Sequence, residues 1–202
     1  MLETTKKERS DIVATLVTAG VVGAIALVVS VIRWLETFTL DGVSVAVPFA
    51  GVPADFAPAD GLPVTTVRVT EGEVVAEGVN ALSTVSLGAS IILGAAVWIA
   101  VIALFGALGL RFLRGRFFDP SNPRLLDAAA WTMLGGALAV YFLETLGRNG
   151  VLAAAGLADF LPSSWAVTAS FVPVWIAAMV IGLISVAFRR GIRLQRDTEG
   201  LV

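Results

Sequence analysis

The chain has 202 residues, 57% of them hydrophobic and 15% charged, with a formal net charge of −2. Soluble domains average about 45–50% apolar and about 25% charged residues, so this chain carries more apolar surface than one soluble core can hide and reads as an integral membrane protein. Histidine and cysteine are both absent, which excludes disulfides, thiol redox chemistry, imidazole- or thiolate-held metals, and catalysis by Ser-His-Asp or Cys-His.

Residues 1–33 are expected to form a short N-terminus and the first span. Ile12 to Ile32 is a run of 21 uncharged residues, enough to cross a hydrocarbon core of about 30 Å at about 1.5 Å per residue. A signal peptide's apolar region runs about 7–15 residues and ends at a small-residue cleavage site. This run is longer and closes with Arg33-Trp34, so it is expected to stay as an anchor.

Residues 34–78 differ in chemistry. Glu36, Asp41, Asp55, Asp60, Glu71, Glu73 and Glu77 stand against a single Arg68, with prolines at 48, 53, 58 and 63. Thr37 to Leu40 and Val43 to Val47 alternate at period two around Asp41-Gly42, a preferred hairpin dipeptide. Val64 to Val69, then Thr70-Glu71-Gly72-Glu73, then Val74-Val75 repeats the pattern. Two short hairpins joined by the stretch Pro48 to Pro63 are therefore expected. An isolated hairpin is barely stable in water, so this cap should pack on helix ends.

The second span is expected at 79–110, inside an uncharged run of 33 residues from Gly78 to Leu110. Residues 111–123 form the next loop. Asp119-Pro120 and Asn122-Pro123 each put a capping side chain before a proline, which predicts a helix start. The third span is placed at 124–148. Its uncharged run, Ala128 to Leu143, has only 16 residues, so Asp127 and Glu144 must lie near the two interfaces. Glu144 and Arg148 are four apart on one helical face and are expected to pair at the outer interface.

Residues 149–164 make the second outer connection, with Ser163 or Ser164 as N-cap and Trp165 at headgroup depth. The fourth span is expected at 165–188, with Pro173 kinking it. The tail, 189–202, continues the helix and places Arg189, Arg193 and Arg196 on one face, suited to anionic headgroups.

With the N-terminus inside, 11 of the 14 basic residues fall on the cytoplasmic side, leaving only Arg33, Arg68 and Arg148 outside. That asymmetry predicts a multi-pass protein of the cytoplasmic (inner) membrane with both termini cytoplasmic. The uncharged runs hold no group suited to proton or ion passage. Their hydroxyls, such as Thr15, Ser30, Ser90 and Ser185, are expected to bond their own backbone or a neighbouring helix. Ala19 with Gly23, and Gly135 with Ala139, are small pairs that allow close helix approach and leave room for a homo-oligomer seam. No carboxylate pair or metal-ligand spacing appears, so no enzymatic activity, metal, cofactor or direct nucleic-acid contact is expected.

Two segments are more specific than hydropathy. Gly115-Arg116-Phe117-Phe118-Asp119-Pro120-Ser121-Asn122-Pro123-Arg124-Leu125, and Phe188-Arg189-Arg190-Gly191 with Leu194, Asp197, Glu199, Gly200, Leu201 and Val202, resemble the signature ends of the YoaS-like bacterial four-span membrane proteins, a family without an established activity. The acidic outer segment has no counterpart in that pattern, and Phe117 stands where the family often has proline. The resemblance implies a membrane partner for a small helix-turn-helix regulator. It also implies a cytoplasmic interaction motif: Gly115, Phe118, Asp119, Asn122, Phe188, Arg189, Gly191, Leu194 and Glu199. These residues would contact one another or that regulator.

The expected fold is thus all-α and membrane-integral: a four-helix transmembrane bundle with a small extracytoplasmic β-hairpin cap between helices one and two. Its partners are the lipid bilayer and a cytoplasmic protein. The alternative function is a lipid or apolar-molecule binding or transport module, with its site between the helices and the cap.

Overall fold

The computed structural model describes residues 6–56, 65–158 and 164–199. In chain order these form α1 (Lys6–Thr37), β1 (Phe38–Thr39), β2 (Gly42–Phe56), β3 (Thr65–Ala76), α2 (Ala81–Leu113), α3 (Asn122–Ala154) and α4 (Ser164–Glu199). All four helices are long and apolar enough to cross a membrane. The α1 and α3 helices run past the expected span limits, α2 lies at Ala81–Leu113 against the expected 79–110, and α4 continues into the tail as expected. The α3 helix continues through Asn149 to Ala154 before a glycine ends it.

Two compact units divide the chain: Met1–Ile32, Ile91–Val140 and Pro173–Val202 form the first, Arg33–Ser90 and Tyr141–Val172 the second. The first is helical among its described residues. Ile102 lies 3.4 Å from where a Cβ on Gly23 would stand, and Leu16 lies 2.9 Å from the same point on Gly109, so α1 packs on α2. Gly136 admits Val97, bringing α3 against α2. Gly136, rather than the expected Gly135, faces the neighbouring helix; nothing lies within 4 Å of a Cβ built on Gly135. The buried apolar residues of this unit include Val101, Leu108, Leu126, Ala129 and Ala178. Val17, Ile25, Trp98, Trp131 and Leu183 are exposed, an apolar surface compatible with a lipid environment.

A three-stranded antiparallel sheet of order β1-β2-β3 gives the second unit its other layer. The first expected hairpin is present: Phe38 pairs with Val43 and Thr39 with Gly42. The second is not. Thr70 to Glu73 lies inside one continuous strand, where Glu73 pairs with Ala46 and Glu71 with Pro48. Pro48 and Pro53 belong to β2, while residues 57–63 of the expected linker and Val64 of the second expected hairpin lie outside the described residues. The two-residue β1 covers only the start of β2, so among the described residues the rest of β2 has a strand on one side alone, the setting in which a sheet tolerates proline. The register shifts between Pro48 and Val52, where Gly51 takes a φ of 80°, the geometry of a bulge.

Alternation puts Val43, Val45 and Val47 of β2 on the same face as Val74 and Ala76 of β3. That face packs on Leu87 of α2 and on Val151 and Leu152 of α3, with Phe38, Val79 and Leu157 at its border. Burying it against the helices supplies the partner surface that a small sheet needs. Asn80 caps α2, its Oδ1 accepting from Ser83 N at 2.9 Å. Gly156, at φ 72°, ends α3 in a Schellman motif: Leu157 N donates to Leu152 O at 2.8 Å, Gly156 N to Ala153 O at 3.1 Å.

Close helix approach in this unit depends on two glycines of α3. A Cβ at Gly147 would overlap Leu87, and one at Gly150 would overlap Ser83. Glu144 pairs with Arg33 of α1 at 2.7 Å rather than with Arg148, and Arg148 forms no ion pair among the described residues. A guanidinium reaching across from another helix has displaced the local i,i+4 pairing, which is worth only a few tenths of a kcal/mol.

Candidate functional site

Most of the motif residues come together in the first unit, around the turn from α2 to α3. The α2 helix ends in a second Schellman motif. Arg116 N donates to Arg111 O at 3.0 Å and Gly115 N to Phe112 O at 2.9 Å, with Gly115 at φ 73°. A side chain at that φ would be strained, so the glycine sets where the chain reverses.

Asn122 then fastens the turn. Its side chain is fully buried, and Nδ2 donates to Arg116 O at 2.7 Å and to Phe117 O at 2.8 Å. The expected role, capping forward into α3, is thus replaced by a backward clasp on two carbonyls of the preceding loop. Forward capping falls to Asp119, whose Oδ1 accepts from Ser121 N at 2.8 Å and from the Ser121 hydroxyl. Those two hydrogen bonds hold the Asp119 carboxyl below its ordinary value of 3.8, the hydroxyl contributing most, with the Arg111 and Arg116 charges adding to them against a smaller desolvation effect. Arg111 Nη1 lies 3.8 Å from that carboxylate. Neither it nor Asn122 Oδ1, both buried, has a hydrogen-bond partner among the described residues.

Aromatic stacking joins this turn to α4. The Phe112 ring lies 4.9 Å from Phe117 and 5.9 Å from Phe188, near parallel to both. Phe117 therefore supplies one face of a three-ring stack. Gly191 leaves room for Phe118, whose ring edge lies 3.2 Å from where a Cβ would stand. Ser185, buried, donates to Pro123 O at 3.1 Å, and Arg189 pairs with Asp127 at 2.7 Å.

Seven of the nine motif residues thus contribute to one interlocked end: Gly115, Phe118, Asp119, Asn122, Phe188, Arg189 and Gly191. Leu194 and the Glu199 position lie farther along α4, where Leu194 is exposed; the Glu199 side chain is outside the described residues. Phe112, Asp127 and Ser185 are participants that the motif did not contain. Ser185 and Asp127 give a sequence-level signal only as polar residues at span ends, and Phe112 none, since its role depends on which helix lies opposite.

Thr15 bonds Asp11 O, Ser30 bonds Ala26 O and Ser90 bonds Leu87 O, as hydroxyls in apolar helices were expected to do. Asp159, Ser163 and the side chains of Ser164 and Trp165 lie outside the described residues. Among the described residues no group of three or more carboxylates stands where it could hold a metal ion. Comparisons with protein-family models, with curated proteins and with solved structures find no match to this chain.

Proposed function

We propose that this chain is a membrane-embedded interaction protein, inserted with its basic end in the cytoplasm, and that the far end of α4 together with the α2–α3 turn receives a soluble protein partner. The observation that carries this reading is the locking of the turn onto α4 by Asn122, the Phe112–Phe117–Phe188 stack and the Arg189–Asp127 pair. A surface fixed before binding loses less conformational freedom on association. Arg196 and Asp197 are exposed on α4 beyond this lock, and Phe118 is 46% exposed beside it, so charge and an aromatic anchor are offered together. The resemblance to YoaS-like proteins supplies the partner class, a small helix-turn-helix regulator.

The test is cross-linking in native membranes followed by mass spectrometry of the full chain. We expect one soluble protein joined near Arg196 and Phe118, lost on Arg196→Glu with Phe118→Ser and kept on Arg68→Gln. Cross-links to that protein that survive the double change would refute the assignment.

A further inference from the structure

The arginines of the first unit fall into two groups. Arg189 is held by Asp127 at 2.7 Å and Arg111 lies beside Asp119 at 3.8 Å. Arg114, Arg116, Arg124, Arg190 and Arg193 are exposed and have no ion pair among the described residues. The same contacts that lock the turn put these five at one level. Phe188 stacked on Phe112 sets α4 beside the end of α2, Ser185 on Pro123 sets it beside the start of α3, and Gly191 lies under Phe118 of the loop. Arg114 and Arg116 follow the α2 span directly, Arg124 opens α3, and Arg190 and Arg193 follow the uncharged run of α4.

Asp119 is engaged by Ser121 and Arg111 and Asp127 by Arg189; of the five only Arg116 is felt at Asp119, so the charge of the other four is uncompensated by these carboxylates. The α3 N-terminus is closed by Asp119 and offers no anion site of its own. What remains is a set of guanidinium groups where apolar helix surface ends, with Phe118 46% exposed among them. Guanidinium forks match phosphate oxygens, and aromatic rings favour headgroup depth.

We propose that Arg114, Arg116, Arg124, Arg190 and Arg193 form a binding surface for the phosphate headgroups of anionic phospholipids in the adjoining leaflet. Position favours lipid over an acidic protein: Arg114 and Arg116 directly follow the apolar run of α2, Arg124 opens α3, and Arg190 and Arg193 follow the uncharged run of α4 that closes at Phe188, the level at which headgroups would surround an inserted protein, whereas Arg196 and Asp197 come later along α4. The inference shares Phe118 and the α2–α3 turn with the partner reading but requires no protein partner, and it holds for either leaflet.

The test is native mass spectrometry of the detergent-purified full chain with phosphatidylglycerol, with phosphatidylcholine, or with inorganic phosphate alone. Phosphatidylglycerol is expected to be retained above phosphatidylcholine, and inorganic phosphate not at all. Each basic residue near a bilayer surface is worth roughly fivefold, so Arg114→Gln/Arg116→Gln/Arg190→Gln/Arg193→Gln should cut retention by more than about tenfold, with Arg68→Gln unchanged. The pairs Arg114→Gln/Arg116→Gln and Arg190→Gln/Arg193→Gln, made separately, should each give a partial loss if the fourfold variant fails to fold. Equal retention of the two lipids, undiminished retention in every variant, or capture of phosphate without lipid preference would overturn the proposal.

Discussion

Asn122 shows how one side chain can fix a connection between two membrane-length helices. Its amide donates to two backbone carbonyls that have no helix partner, from a position with no exposure to solvent. Removing it strands both acceptors, at a cost of roughly 1–3 kcal/mol. Asn122→Ala should therefore lower thermal stability in detergent by that order. Asn122→Asp should be worse at neutral pH, because a carboxylate there cannot donate and faces two carbonyl oxygens; a melting point at or above that of the alanine variant would contradict the clasp. Asp119 carries the pH dependence of the same turn. Its pKa is lowered on folding, so its contribution is complete above 3.8 and is lost only as pH falls below that value through the folded pKa. A carboxyl titration followed by NMR in nanodiscs should place the Asp119 midpoint below 3.8, and a midpoint above it would count against the two Ser121 hydrogen bonds.

Close contact between α2 and α3 rests on small residues at particular turns. Overpacking such a seam costs typically about 1–3 kcal/mol, so Gly147→Ala and Gly150→Ala should each destabilise the protein by that order. Gly135→Ala, with nothing within 4 Å, should be neutral or stabilising by up to about 1 kcal/mol. Comparable losses at all three positions, measured by thermal unfolding in one detergent, would show that the seam is wrongly placed. Sequence patterning identified the helices because charges interrupt long apolar runs. It did not distinguish Gly135 from Gly136, since adjacent residues differ only in which helix face they occupy and that face is chosen by the neighbour. The sheet shows a similar boundary. Asp41-Gly42 specifies its hairpin locally, but the pairing of β2 with β3 joins residues far apart in sequence, and it carries Thr70 to Glu73 straight through a segment that looks locally like a turn.

Across the whole molecule, charge distribution organises both structure and proposed function. The basic residues of the α2–α3 turn and the end of α4 belong to the first unit, while the sheet, with Asp55, Glu71 and Glu73 against Arg68, belongs to the second. The site was legible as a motif because its residues cluster in two short segments. Its construction was not, because Asn122 acts backward along the chain and Phe112 acts through a ring stack that only the packed helices create. The proposed orientation, read from the charges, has the basic end cytoplasmic and residues 34–78 extracytoplasmic. The absence of native cysteine allows this to be tested with single introduced thiols and a membrane-impermeant maleimide. In intact spheroplasts, Thr66→Cys should be labelled and Asp197→Cys should be labelled only after permeabilisation; the reverse pattern, or labelling of both before permeabilisation, would contradict the account.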